Sequence, residues 1–490
     1  MKKAKKIIAL FSLLAVITSA LSGCSSKKNI IKLEDTASLK QNLLVNSTAH
    51  DMNGQECDLS LSGKNDEITF IEITLAEKSK INTLILTENA ENVTAFNIYL
   101  DDEKVYSGSS IGEYRACAFE TKEAEKIKLE VTKSKSRFTI SNISAYLSEK
   151  DEAVEKQVSA FISAENASNL SKLDAKVNEF IIYGCVSFNE NGELVFSNKN
   201  DENSDAKTLL ANAVNNLKTY TAQSGTKLSL MISAPEIEKE KSDKFISLKN
   251  NGDKVISAYN SGNLIVNILN ILDEYGFDGV TLKWDYPATE KQWKALSDII
   301  TSLKTADMSK CVSLSISDYA CRLSKQSYQY IDKIILEAYD VFNNGQHSAY
   351  SDCLRLVSKL NSNGCELSKI QLAIPMYART SDKADIIFPY KTEAYKLDQN
   401  KESVEGEITG NFGQEDTTIT STRYYNSYQT VFDKTAYAVS LGLYGVAVFD
   451  YCYDLPYYDE LSLIKAVDKA YESRTVNNSN ENNEETTVDN

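Results

Sequence analysis

Tyr275–Pro287 reads YGFDGVTLKWDYP, and this stretch decides the fold. In an extended strand alternate side chains share a face. Val280, Leu282 and Trp284 then form an apolar face, and Thr281, Lys283 and Asp285 a polar one. The run before it, LIVNILNILDEYG at 264–276, repeats its apolar residues at helical spacing. A helix leading into a strand that is apolar on one side only is half of a repeating α/β unit.

Seven further strand candidates surround it: QVSAFIS (157–163), EFIIYGCVSF (179–188), KLSLMIS (227–233), CVSLSIS (311–317), KIILEAY (333–339), IQLAIPM (370–376) and YGVAVFD (444–450). Helical periodicity fills most gaps between them, clearly in AKTLLANAVNNLKTYTAQ (206–223). Eight such units predict a (β/α)8 TIM barrel over residues 155–473. A doubly wound open sheet is the alternative. No phosphate-binding glycine pattern comes after the first strand, which counts against a dinucleotide-binding version. In a barrel, Thr281, Lys283 and Asp285 face the lumen near its C-terminal mouth, and Val280, Leu282 and Trp284 pack on the helices.

The texture changes at SEKDEAV (148–154). Before it, over 38–148, short alternating runs recur: IEITL (71–75), INTLILT (81–87), AFNIYLD (95–101), RACAFET (115–121), IKLEVTK (127–133) and FTISNISAYL (138–147). Short strands without helical stretches predict an all-β antiparallel sandwich. Two domains are therefore expected, in keeping with 490 residues.

The N-terminus sets the compartment. Lys2, Lys3, Lys5 and Lys6 precede an apolar run from Ile7 to Leu21, too short for a comfortable membrane span, so residues 1–23 read as an export signal. Its end, Leu21-Ser22-Gly23-Cys24, resembles the lipobox of bacterial lipoproteins. That resemblance implies lipid on Cys24, a polar tether over 24–37 and a location on the outer face of the bacterial cell membrane. The alternative is an ordinary signal peptide with an incidental Cys. The tail from 474 is polar and is expected to be disordered.

Formal net charge is −16, and residues 1–23 carry four lysines and no acids, so the chain beyond residue 23 is more acidic still. Such a surface repels nucleic acid and anionic polymers but accepts neutral glycans. The nine cysteines form no CxxC pair, and the only histidines are His50 and His347. No metal site and no cofactor are expected. A Ser-His-Asp triad would need one of those two histidines and is weakly supported.

Four of the strands resemble, in order, the motifs of glycoside hydrolase family 18. YGFDGVTLKWDYP is similar to the family's D-G-x-D-x-D-x-E-Y-P, with Asp278, Gly279, Tyr286 and Pro287 in frame and Trp284 also usual. EAYD (337–340) resembles M-x-Y-D, KIQLAIPMYAR (369–379) resembles K-x-x-x-G-I-P-x-Y-G-R, and GLYGVAVFDYCYD (442–454) resembles G-x-G-G-x-M-x-W. The N-terminal runs resemble the discoidin-like (coagulation-factor type C), galactose-binding-like jelly roll, whose members serve as sugar binders or as spacers; both roles stay open here.

The family resemblance implies a chitinase-like site in which the lumen positions of the fourth strand carry Asp, Asp and Glu. There the Glu protonates the glycosidic oxygen, and the middle Asp orients the substrate's own acetamido group for attack. This chain has Thr281, Lys283 and Asp285 instead. Asp285 is one methylene short, a withdrawal of roughly 1 Å that can cost about 100-fold. Lys283 puts a cation where the scheme needs an anion and favours an ionised Asp285, whereas a general acid must hold its proton. Phe449 stands where the family has a Trp flooring the sugar pocket. By resemblance, Asp285, Tyr339 and Asp340 are the catalytic candidates; Asp278, Lys283, Trp284, Glu337, Tyr377, Arg379 and Phe449 are candidates for substrate binding. The alternative for Tyr339 is a core aromatic at a strand end, and Arg379 could equally serve a structural salt bridge.

Glu337 replaces an apolar family residue two places before Tyr339, so it shares the lumen side. A lumen Glu is costly unless paired. Lys283 lies on an alternate strand, and a buried Lys283–Glu337 ion pair, shared with Asp285, is expected; the alternative is a solvent-facing Glu337. Altogether the sequence points to a membrane-tethered binder of N-acetylglucosamine-containing glycans with weak or no hydrolysis. The alternatives are an active hydrolase of chitin, peptidoglycan or N-glycan using Asp285 as acid, and an envelope protein without a sugar ligand. Oligomeric state is left open.

Overall fold

The computed structural model describes residues 30–474 except 38, 66, 151–154, 174–176, 199–204, 223, 236–243, 285–286, 318–320, 342–345, 381–385 and 412–415. Cys24, the signal segment, Asp285, Tyr286 and the tail from 475 lie outside the described residues. Among the described residues the chain forms two compact units. One comprises residues 32–156, 429–442 and 465–474; the other comprises residues 30–31, 157–428 and 443–464.

The first unit is built on a seven-stranded antiparallel sheet: Thr48–Asp51, Leu61–Gly63, Thr69–Glu88, Val93–Leu100, Glu103–Gly108, Arg115–Ser134 and Phe138–Tyr146. The runs expected as separate strands at 71–75 and 81–87 join into one, as do those at 115–121 and 127–133. The two long strands pair with each other through register shifts between Thr74 and Ser79 and between Ile81 and Thr83. These irregularities let the chain bend without leaving the ladder. Before the bend burial alternates at Ile71, Ile73 and Leu75; after it Ile81 to Leu86 are all buried. That continuous buried run is covered on both faces. Ile81, Leu84 and Leu86 join the main core. Asn82 is buried too, and its Nδ2 donates to the carbonyls of Ser148 and Ser473 (3.1 Å each).

The same unit takes in most of the helix Tyr428–Leu441. Its Asp433, fully buried, accepts from Tyr106 Oη (2.7 Å), Arg115 Nη2 (2.8 Å) and the Ala118 amide (3.1 Å). Burial pushes the Asp433 carboxyl up, and the Arg115 charge opposes that rise.

The second unit is a closed barrel of eight parallel strands. In order they are Val158–Ser163, Glu179–Tyr183, Lys227–Ser233, Gly279–Lys283, Cys311–Ile316, Lys333–Glu337, Ile370–Pro375 and Gly445–Phe449. All eight expected strands are present. The eighth pairs with both the seventh and the first, so the sheet closes and the open doubly wound alternative is excluded. The expected run 179–188 breaks at Gly184, which has φ 86°, a backbone region that suits glycine. The expected helices at 206–223 and 264–276 appear as Ala206–Thr221 and Asn263–Tyr275.

Near the N-terminal ends of the strands the lumen is closed by a buried Lys333–Glu179 ion pair joined by Ser159 and Ser229. Above it Phe161, Ile181, Met231, Ile335, Tyr339, Ala373 and Ala447 form an apolar plug. The chain after the seventh strand folds into a separate antiparallel sheet of Tyr377–Thr380, Ile387–Pro389, Ser403–Asn411 and Asp416–Tyr424, which the strand pattern of the sequence does not predict.

Candidate functional site at the barrel mouth

Period-two alternation delivers the fourth strand's polar face to the lumen. Thr281 and Lys283 lie in register with Met231 and Ser233 on one side and with Ser313 and Ser315 on the other. Thr281 is fully buried, and its hydroxyl has no hydrogen-bond partner among the described residues. Lys283 reaches across the fifth strand to the sixth. Its Nζ lies 2.5 Å from Glu337 Oε2, and Ser315 Oγ donates to Glu337 Oε1 at 2.5 Å. The expected ion pair is therefore present. It is largely dry, with side-chain exposures of 15% for Lys283 and 7% for Glu337. A small Ser on the intervening strand leaves room for the pair and spends its one proton on it.

A second charged group lies just after the sixth strand. Asp340 adopts φ 58°, a conformation rare for non-glycine residues. Its carboxylate meets Arg379 Nη1 at 2.5 Å and His347 Nδ1 at 3.4 Å. Burial raises the Asp340 pKa, but the His347 hydrogen bond and the Arg379 charge outweigh it and hold the group below the usual carboxylate range. Of the two roles open to Arg379, the salt bridge is the one seen. His347 is fully buried and stacks on Tyr377 (centroids 5.3 Å, 26°).

Aromatic rings occupy the space between these charges. Phe449, at the end of the eighth strand, lies 5.3 Å from Tyr339, 5.0 Å from Tyr183 and 5.3 Å from Phe161. Tyr377 meets Tyr339 at 6.3 Å and Tyr453 at 6.2 Å, both edge-on. Phe449 and Tyr183 are half-buried, while Tyr339 and Tyr377 are buried. Burial drives both tyrosine hydroxyls well above their ordinary pKa, so they stay protonated and able to donate.

Asp450 is a site residue that the sequence motifs miss. It is fully buried at the mouth end of the eighth strand and accepts from Tyr183 Oη (2.8 Å), the Ser163 amide (3.2 Å) and the Cys452 amide (2.7 Å). Burial pushes its carboxyl up to about 6. No motif marks it, because its partners include residues at the ends of the first and second strands.

Two candidates sit elsewhere. Asp278 precedes the fourth strand, at the end opposite the mouth, where its Oδ2 accepts the Leu228 amide (2.8 Å). It links neighbouring strands and is remote from any ligand at the mouth. Trp284, 5% exposed, lines an apolar space with Val255, Leu264, Leu296 and Ile299 on the helix side. The alternation that sends Lys283 inward sends Trp284 outward, so it packs rather than binds. The structure thus brings together Lys283, Glu337, Tyr339, Asp340, Tyr377, Arg379 and Phe449 from the expected set. Among the described residues no cluster of three His, Cys, Asp or Glu could hold a metal ion.

The mouth offers half-buried aromatic faces and neutral phenols, with both charged pairs internally compensated. That arrangement suits a ligand with apolar faces and hydroxyl or amide edges.

Comparison with solved structures finds similar folds. A chitinase from the chitin utilization locus of Flavobacterium johnsoniae is 16% identical, covering 64% of this chain and 94% of that one, with TM-score 0.48. A chitinase from Bacteroides thetaiotaomicron is 18% identical (65% and 97% covered, TM-score 0.47). A class V chitinase mutant from Nicotiana tobaccum in complex with NAG4 is 14% identical (65% and 99%, TM-score 0.48). No curated protein matches the sequence. Residues 144–454, more than half of the chain, match the family described as Glycosyl hydrolases family 18, and the chain belongs to that family.

Proposed function

We propose that this protein is a carbohydrate-binding member of family 18 that recognises N-acetylglucosamine-containing glycans at the barrel mouth, with weak or no hydrolysis. The observation that carries this reading is the Lys283–Glu337 ion pair. It places a cation where the family's chemistry needs an assisting carboxylate, with that cation's counter-ion, Glu337, at a position the family keeps apolar. Both Glu337 oxygens are already engaged, one by Lys283 and the other by Ser315. The rings of Tyr339, Tyr183 and Phe449 supply the surface on which a sugar would rest. Lipid on Cys24 would hold the protein on the outer face of the bacterial membrane, and the N-terminal domain would act as a discoidin-like sugar binder or a spacer. Parallel measurement of binding and turnover of one chitooligosaccharide tests the reading: binding without turnover supports it, and turnover at ordinary enzymatic rates overturns it.

A second reading keeps the activity. Asp285 retains a carboxyl on the signature strand, and Tyr339 and Asp340 match their motif. In that case the same experiment gives hydrolysis that is lost in Asp285→Asn.

A further inference from the structure

The carboxyl of Asp450 is enclosed by donors. Its Oδ1 accepts the Cys452 amide (2.7 Å), and its Oδ2 accepts both the Ser163 amide (3.2 Å) and Tyr183 Oη (2.8 Å). Donors on every side suit an ionised carboxyl. A protonated one has to place a hydrogen of its own, and the residue is fully buried, so water cannot take it. The two amides can only donate. A phenol hydroxyl donates and accepts, so Tyr183 is the partner whose bond can reverse. Its ring ties that exchange to the mouth, being half-buried and 5.0 Å from Phe449. The groups that bear on Asp450 come from four segments. They are Ser163 at the end of the first strand, Tyr183 at the end of the second, Cys452 and Tyr453 after the eighth, and Lys391 in the short helix Tyr390–Glu393. Burial holds the Tyr183 and Tyr453 hydroxyls above their ordinary pKa and pushes the Cys452 thiol up to about 12, so all three stay protonated near neutrality. The Lys391 charge opposes the rise at Asp450, yet burial carries that carboxyl up to about 6. Asp450 thus changes charge in a mildly acidic range in which these neighbours do not.

We infer that Asp450 and Tyr183 form a proton-operated switch at the mouth: when Asp450 takes up a proton, the Tyr183 hydroxyl hydrogen passes from the carboxyl to the ligand, and the site holds a neutral glycan more tightly. This rests on the glycan-binding reading above. Protonated Asp450 donates to Tyr183 Oη. The phenol's own hydrogen then turns away from the carboxyl and is free for a hydroxyl or acetamido oxygen of the sugar. With Asp450 ionised, the carboxylate keeps that hydrogen and the sugar oxygen meets only a lone pair. One hydrogen bond gained in this way is worth roughly 3–10-fold in affinity. Binding and protonation are then linked reciprocally, so the ligand raises the proton affinity of Asp450 and binding takes up protons.

Calorimetry of chitotriose binding to the full chain is the test. The natural protein should bind roughly 3–10-fold more tightly at about pH 5 than at about pH 8. In buffers of different ionisation enthalpy at about pH 6.5 its binding should take up protons, a readout that needs no variant. Asp450→Asn puts a permanent donor beside Tyr183 Oη at the expense of the Ser163 contact. It should lose the pH dependence and bind at about pH 8 nearly as tightly as the natural protein does at about pH 5. Tyr183→Phe should also lose the pH dependence but stay at the weaker affinity. Glu337 and Asp340 are the other carboxylates at the mouth; a pH dependence that survives in Asp450→Asn would belong to them and would overturn the switch. If the natural protein binds equally at both pH values without proton uptake, the switch is wrong and the glycan-binding reading stands. If it binds chitotriose at neither pH, both inferences fall.

Discussion

Lys283 on the fourth barrel strand and Glu337 on the sixth meet across Ser315 on the fifth, with Nζ and Oε2 2.5 Å apart. Each is a departure from the family pattern, and each makes the other tolerable. Removing one partner strands a buried charge; removing both does not. Lys283→Met and Glu337→Met should therefore each destabilise the protein by roughly 3–5 kcal/mol, and the double variant by much less. Urea unfolding of the four proteins gives the coupling. Single effects that simply add would show the pair to be energetically idle.

The natural sequence should hydrolyse β-1,4-linked N-acetylglucosamine oligomers slowly or not at all, well below about 1 per second. The combined change Thr281→Asp, Lys283→Asp and Asp285→Glu, with Glu337→Met added so that this carboxylate is not left without its counter-charge, should raise turnover. Reducing-end release is the assay. Fast hydrolysis by the natural protein would contradict the binding-only reading.

Asp450 makes stability depend on pH. Its folded-state pKa is raised from 3.8 to about 6, so between about pH 4 and pH 6 the folded state holds more protons than the unfolded state. Its contribution is then full below about pH 4 and is lost as pH rises to about 6, a change of roughly 3 kcal/mol. Asp340, with its pKa lowered, acts in the opposite sense, losing its contribution as pH falls. The useful readout is therefore the difference between the natural protein and Asp450→Asn. That difference should shrink steadily from about pH 4 to about pH 7 in denaturant titrations. A constant difference would mean that Asp450 titrates as an ordinary carboxyl.

In the first unit, Arg115 and Asp433 are buried together, with side-chain exposures of 2% and 0%. Arg115→Met should cost roughly 3–5 kcal/mol, because Asp433 would be left without its counter-charge. Tyr106→Phe removes one hydrogen bond to the same carboxylate and should cost less, about 1.5–3 kcal/mol. Equal effects would show that the charge contributes nothing beyond the hydrogen bonds.

Cys24→Ala should move the protein from the membrane to the soluble fraction and block lipid-dependent processing. Membrane fractionation of cells expressing each form is the check, and an unchanged distribution would rule out the lipid anchor.

Much of the architecture is legible in the sequence because it is local. The alternation of Val280, Leu282 and Trp284 against Thr281 and Lys283 needs only the pleat of a strand, and the eight βα repeats need only hydrophobic period. The sheet at 403–424 leaves a weaker mark: DTTITSTRY is rich in β-branched residues but has no apolar alternation, and it lies between barrel elements. The joining of 71–75 with 81–87 is not legible either, because the register shifts that continue the ladder depend on the partner strand.

The site divides in the same way. Lys283 opposite Glu337 can be anticipated, since the regular stagger of a barrel places alternate strands face to face. Asp450 and His347 cannot. Asp450 acquires its raised pKa from burial, in a pocket that includes Tyr183, 267 residues away in the chain. His347 meets Arg379's partner Asp340 only because the chain turns at Asp340 with φ 58°. Which face a side chain takes is set by its neighbours in sequence. Whether it is buried, what it is bonded to and what charge it carries are set by neighbours in space, and those the closing of the barrel alone decides.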